Sequence, residues 1–345
     1  MFSLRIRSVS ASQYQSLMRE LPLAAPPATL CAQYVSADAA RDSGLQPWFI
    51  VVESESGTWM HGIHVTDIPG TPWRDASSPY GYGGPLSTSS DADFLKRCWD
   101  AYAKFMLEQR VVVEYLRFHP LLGNDRFYGG QISDNREVVV VDLEPADFAA
   151  NYVPRVRSIL RKADRQSICY IEADLAGNEQ RFVDFHWAAM KAMGVDGFYL
   201  FSLEYFCALA ATGMARLGVC VRNNDVGIGA AWLAAAIFLE SGGTAEYHLA
   251  ANSADGRTVG ASSFLLDQAA RSARQRGRKC LYLGGGTDRS AENPLLFFKA
   301  GFSPTRLVYR TGSTVFNAAG RDEVKLAYPL EWSAHPDRPI FHRKV

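Results

Sequence analysis

The chain has 345 residues, 36 of them lysine or arginine and 36 aspartate or glutamate, so its formal net charge is zero. Apolar residues make up 48% and charged residues 21%, which excludes a disordered tail protein and a binder relying on a basic surplus over the whole molecule. A single core rarely serves more than roughly 250–300 residues, so about two domains are expected.

The six cysteines are scattered, with no CxxC and no Cys/His cluster, so no metal site is expected. The N-terminal MFSLRIRSVS has no long apolar core of the secretory kind. The closest approach to an apolar span, Gly227 to Leu239 (GIGAAWLAAAIFL), is too short for a bilayer. These features predict a reduced, cytoplasmic protein without a transmembrane segment and without DNA as a partner.

In chain order, Pro47 to Glu53 and Thr58 to Ile68 read as strands of a hairpin turning at Gly57. Pro69 to Ser90 reads as a long loop, a common place for function. Phe94, Leu95, Trp99, Tyr102, Phe105 and Met106 give helical spacing over Asp93 to Gln109. Val111 to Phe118 and Glu137 to Leu143 read as buried strands.

The pattern then restarts. Tyr152 to Gln166 is a basic amphipathic helix, Cys169 to Ala173 a strand, and Glu179 to Met193 and Leu203 to Ala211 helices. Leu217 to Arg222 is a strand, Asn223 to Asp225 a turn, and Val226 to Glu240 a long strand. Ser241 to Gly243 turns into the strand Thr244 to Ala251. A helix over Thr258 to Arg276 stops at Gly277. Lys279 to Leu283 is a strand, Asn293 to Ala300 a short helix, and Pro304 to Arg310 a last strand. The segment after about Glu331 is polar and receives no function. The two halves share an order of elements, which places the domains at 1–145 and 146–345.

The chemistry is expected in the second half. A strand ending at Asn252 feeds SADGRTVGAS and then a helix. A helix N-terminus offers unpaired N–H groups, and Gly260 would let backbone approach a pyrophosphate. An ordinary strand–helix loop is the plain alternative. Glu246 and His248 alternate on one strand and share a face. Either suits a general base for an attacking amine, and either is equally readable as a structural residue. Asp288, after Gly284-Gly285-Gly286, suits an acceptor or a turn.

In the first half, Tyr80 and Tyr82 offer rings and hydroxyls to an acceptor, and otherwise pack a Gly/Tyr-rich loop. Arg117 and His119 end a strand, where Arg117 suits a phosphate, a carboxylate or an ion pair. The cleft between the domains is the expected acceptor site. The helix with Arg155, Arg157, Arg161, Lys162 and Arg165 is a local basic face, solvated or turned towards a phosphate-bearing ligand.

A resemblance adds to this. Arg257-Thr258-Val259-Gly260-Ala261-Ser262 resembles the pyrophosphate loop of the GNAT acyltransferases, Q/R-x-x-G-x-G/A, with serine at the last position. SPYGYGGPL, EYLRFHPLLGN, RSILRKADRQ, EYHLAANSADGR, KCLYLGGG and LFFKAGFSP together resemble the FemAB-like branch, over about residues 45 to 311. The resemblance implies an α/β (mixed α+β) fold of two tandem GNAT-like domains. Each would be a mixed, mainly antiparallel sheet flanked by helices. It implies donor contacts at Asn252, Arg257, Val259, Gly260, Ala261 and Ser262. Acceptor contacts would fall at Tyr80, Tyr82, Arg117, His119, Gly285, Phe298 and Lys299. The branch divides into enzymes that take an amino acid from aminoacyl-tRNA onto a lipid-linked muropeptide and single-chain N-acyltransferases that use acyl-CoA on amines of sugars or small molecules. The first kind often carries a long charged helical hairpin. Its absence and the zero net charge point to acyl-CoA as donor and an amine acceptor, with tRNA as the alternative and a non-catalytic binding module as a third reading.

Overall fold

A computed structural model describes residues 4–21, 25–195, 197–223, 229–290 and 292–344. The expected turn at Asn223–Asp225 and the start of the strand expected from Val226 fall largely in 224–228, outside the described residues. The chain forms two compact units: Met1–Ala24, Thr29–Asn135 and Val308–Val345, and then Ala25–Ala28 with Arg136–Leu307.

The first unit opens with β1 (Arg5–Ser8) and α1 (Ala11–Met18), whose capping box joins Ser10 and Gln13. α2 (Ala32–Asp38) follows. The expected hairpin is β2 (Gln46–Ser54) and β3 (Gly57–Asp67), paired from Gln46↔Val65 to Ser54↔Gly57. Gly57 sits at φ +142, where a side chain would be strained. The expected loop contains β4 (Arg74–Ser77) and β5 (Leu86–Ser87).

α3 (Ala92–Glu108) starts where the Asp91 carboxylate accepts from the Phe94 amide, and it buries Phe94, Cys98, Tyr102 and Met106 at intervals of four. β6 (Val111–Arg117) completes this stretch. The sheet order is β1-β2-β3-β4-β6 with β5 on β3. Only β4 and β6 are parallel within it. One buried carboxylate, Glu114, accepts from Tyr102 at 2.5 Å and lies 3.3 Å from His61 Nε2, tying β6 to α3 and β3.

The chain passes to the second unit within β7 (Gln131–Asp142). There it forms α4 (Pro154–Arg165), β8 (Ile168–Asp174), α5 (Glu179–Ala192), α6 (Leu203–Ala211), β9 (Ala215–Arg222), β10 (Ala234–Ser241) and β11 (Thr244–Asn252). α7 (Ala254–Val259), α8 (Ala261–Gln275), β12 (Cys280–Gly285) and α9 (Pro294–Ala300) follow. Its sheet runs β7-β12-β11-β10-β9-β8, with β11 and β12 parallel and the other pairs antiparallel. The core joins Val139 and Val141, Ala245, Leu281 and Leu283 to Phe264, Leu265 and Ala269 of α8 and Leu296 of α9.

Two expectations change here. The long strand expected to Glu240 is a strand only from Ala234. The helix expected over Thr258 to Arg276 is two helices meeting at Gly260, whose φ of +73 breaks the run.

The chain returns to the first unit within β13 (Arg306–Val315), which reaches beyond the expected end at Arg310 and pairs with β6 from Thr311↔Arg117 to Val315↔Val113. α10 (Ala318–Ala327) and α11 (Pro329–Ala334) follow. Val324, Ile340 and Phe341 pack with Ile68, Val112 and Val113. The division thus differs from 1–145 and 146–345 at residues 25–28, which go with the second unit, and in two larger places. Residues 136–145 go with the second unit, where β7 pairs with β12. Residues 308–345 go with the first, because β13 pairs with β6 and the tail adds to that core.

Candidate functional site

β11 pairs with β10 up to Asn252↔Ala234, yet with β12 only over Thr244–Glu246 and Cys280–Tyr282. The two parallel strands therefore part after Glu246, opening the middle of the sheet. A bulge in β12 between Tyr282 and Gly284 marks the same level. An extended ligand can enter a sheet only where neighbouring strands stop pairing.

The three glycines after Leu283 set the far side of the opening. A side chain on Gly285 would meet the Glu137 carbonyl oxygen at 2.5 Å, and one on Gly286 would meet Asn293. Asn293 in turn caps α9, accepting from the Leu295 and Leu296 amides at 3.0 and 3.1 Å. The glycines thus seat α9, which carries Phe298 and Lys299. Lys299 is 8% exposed, its Nζ donates to the Gly285 carbonyl at 2.8 Å, and it lies 5.9 Å from the Tyr247 ring. Tyr247 is the first β11 residue beyond the pairing. Burial lowers the Lys299 pKa to about 7, so this amine exchanges a proton near neutrality. Phe298 packs beneath it on Phe302.

Glu246 and His248 occupy the other face, by the alternation that sends Ala245 and Tyr247 into the α8 core. Glu246 is 4% exposed and is the last β11 residue paired to β12. His248 Nε2 shares a 2.6 Å hydrogen bond with the hydroxyl of Tyr205 on α6, which fixes the ring. Tyr205 was not foreseen, since its helix reads only as apolar in sequence. Asp288 stands apart. It is exposed, and its carboxylate accepts from the Ser290 amide at 2.8 Å, a turn contact.

The α7 side of the segment Arg257–Ser262 is taken up in a helical turn. The Gly256 amide donates to Ser253 Oγ at 2.9 Å, the Arg257 amide to the Ser253 carbonyl at 3.1 Å, and the Gly260 amide to the Arg257 carbonyl at 3.4 Å. These donors serve the α7 turn. Gly260 caps α7 and begins α8, and a side chain there would meet Ile159 Cγ2 of α4 at 2.4 Å. Packing thus accounts for this glycine. Val259 and Ala261 are buried, Ser262 is half-buried, and Arg257 is exposed with Nη1 on the Asn252 carbonyl at 3.3 Å.

In the first unit, Tyr82, Arg117 and His119 come together. The Tyr82 ring lies 5.2 Å from His119 and 5.7 Å from Tyr309 of β13. Arg117 lies over Tyr115, and the Gly83 amide donates to the Arg117 carbonyl at 2.8 Å. His119 is fully buried, with Nδ1 accepting from the Leu121 amide. Tyr80 is held elsewhere, its amide donating to Asp38 at 2.8 Å and its carbonyl accepting from Tyr34. A surface pocket of about 290 Å³ lies between Asp67–Arg74 and Glu108–Arg110, away from all these residues. Among the described residues no helix is long and apolar enough to cross a membrane.

No family model matches the sequence, and no curated protein matches it. Solved structures do match, and they define the class first: a GNAT fold, present twice. A tandem GNAT protein from the clavulanic acid biosynthesis pathway superposes with a TM-score of 0.51 at 13% identity, over 90% of this chain and 98% of that one. FemX superposes with a TM-score of 0.70 at 12% identity, over 93% and 99% of the two chains. L-PGS from Bacillus licheniformis gives 0.59 at 13%, over 98% and 99%. The chain has a tandem GNAT fold.

Proposed function

We propose that the protein is an aminoacyltransferase, moving an aminoacyl group from the ester of a charged tRNA to an amine. The observation that carries this choice of donor is that the α7 turn takes up the amides leading to Gly260, with Ile159 packed against that glycine. An acyl-CoA pyrophosphate needs amides pointing outwards at a helix start. Here the Gly256, Arg257 and Gly260 amides are bonded within the α7 turn, and Ile159 covers Gly260. The solved structure of a putative lysylphosphatidylglycerol synthetase domain from Agrobacterium fabrum, with a TM-score of 0.56 at 17% identity, is in keeping with aminoacyl transfer.

The reaction makes an amide N–C bond and breaks the ester C–O bond. The amine gives up a proton, and the ribose oxygen gains one. Lys299, beside the opening and with a pKa near 7, suits giving that proton to the departing oxygen. Glu246 or His248, on the opposite face at the same level of β11, suits receiving the amine's proton. Tyr82, Arg117 and His119 are the acceptor candidates, matched to an amine whose body carries hydroxyl or anionic groups.

A second reading keeps acyl-CoA as donor, because the parting of β11 and β12 accommodates any extended acyl chain. Supplying radiolabelled aminoacyl-tRNA or radiolabelled acetyl-CoA, with a panel of amino sugars and small amines, separates the two. Label should pass from tRNA. Passage from acetyl-CoA alone reverses the assignment. Transfer from neither donor supports a binding module.

A further inference from the structure

The aminoacyl-tRNA reading leaves one feature of the second unit unused. α4 carries Arg155, Arg157, Arg161, Lys162 and Arg165 among its twelve residues, with Asp164 as its acid. This concentration stands out in a chain of zero net charge. Val156 and Ala163 bury the opposite side.

Three of the five cations anchor the helix. Arg155 donates to the Phe297 carbonyl and lies 4.5 Å from that ring, Arg157 donates to the Ala150 and Tyr152 carbonyls, and Lys162 reaches the Thr258 carbonyl at 3.5 Å. They tie α4 to α9, which carries Lys299, and to α7. Arg161 and Arg165 are exposed, with no side-chain hydrogen bond or ion pair among the described residues. Together with Arg157 they form a stripe at intervals of four, about 12 Å long at the rise of an α-helix.

We propose that this stripe binds the sugar–phosphate backbone of the donor RNA. The proposal rests on the aminoacyl-tRNA reading. Guanidinium groups match phosphate oxygens in pairs, and the cationic side chains are arginine in four cases of five. A stripe of this length exceeds what one pyrophosphate occupies, which favours a chain of phosphates. A membrane surface fits less well, because apart from Pro154 the exposed α4 residues are all polar, whereas an interfacial helix sets apolar side chains beside its cations.

The test uses the full chain and an uncharged RNA hairpin ending in single-stranded ACCA, followed by fluorescence anisotropy across salt concentrations. Arg161→Glu with Arg165→Glu should weaken binding at least tenfold. The paired glutamine variant should weaken it less and reduce the dependence of log K on log salt by roughly 1.4–1.8, the value for two lost phosphate contacts. The thermal midpoint should match the parent protein. Unchanged RNA affinity in the glutamate variant overturns the proposal. So does a parent protein that binds phosphatidylglycerol vesicles but not the hairpin, or a variant whose loss falls on CoA binding alone. If unchanged RNA affinity accompanies intact transfer from charged tRNA, the surface is wrong and the donor stands. If the parent protein binds no RNA and uses acetyl-CoA, both are wrong.

Discussion

At the scale of the residue, Lys299 makes the sharpest claim. Its folded pKa is lowered to about 7 by burial, while an unfolded lysine titrates near 10.4. Between those values the unfolded chain binds more protons, so stability should rise with pH above about 7. Lys299→Met should flatten that rise, raise the urea midpoint at pH 6 and cut transfer by roughly 10²–10⁴-fold. An unchanged pH profile of stability would mean the amine is solvated. Gly260 makes a second claim. Gly260→Ala should cost roughly 1–3 kcal/mol, because φ is +73 and Ile159 fills the space. Ile159→Ala in that background should return part of the loss, measurable as a coupling in a double-mutant cycle. The sequence displayed this glycine but not its reason, since helix α4 lies about a hundred positions earlier in the chain. Asp288 was readable either way, and its carboxylate makes a turn contact with the Ser290 amide. Tyr205 was invisible as a partner of His248 because nothing in an apolar helix announces a cross-fold hydrogen bond.

At the scale of the element, regular period was the readable signal. α3 and the β2–β3 hairpin carried clear patterns and formed close to where they were expected. β4 and β5, of four and two residues, are too short to show any period. α2 buries Ala32, Tyr34, Val35, Ala37 and Asp38, so it has no polar face to contrast with an apolar one. The tail after Glu331, polar in sequence and given no function, closes on the first unit. Asp75 is fully buried, and His342 Nε2 and Arg343 Nε donate to it at 2.8 and 2.9 Å. Burial alone would raise this carboxyl, but the Arg343 charge and the bonds from both residues bring it below the usual carboxylate range. Its stabilisation is therefore present above the unfolded carboxylate pKa and lost as pH falls through the lower folded value. Asp75→Ala should leave Arg343 without its partner and destabilise the first unit by about 3–5 kcal/mol, read from urea unfolding. Deleting residues 342–345 should act in the same direction. A tail that can be removed without loss would contradict this clamp.

At the scale of the whole molecule, the tandem GNAT architecture was legible because an order of elements recurs along the chain and six segments resemble one branch. The donor was not legible. The motif Arg257–Ser262 reads the same whether its amides face a pyrophosphate or close a helical turn. The local cations of α4 were legible despite the zero net charge, because five of them fall between Arg155 and Arg165. The account's central claim is that the second unit takes its acyl group from RNA and not from coenzyme A. Calorimetric titration of the full chain with a 3′-amide-linked aminoacyl-RNA hairpin, and separately with acetyl-CoA, tests this most directly. The account predicts saturable, salt-sensitive binding of the hairpin and no saturable heat with acetyl-CoA. Saturable acetyl-CoA binding with no response to the hairpin would contradict it.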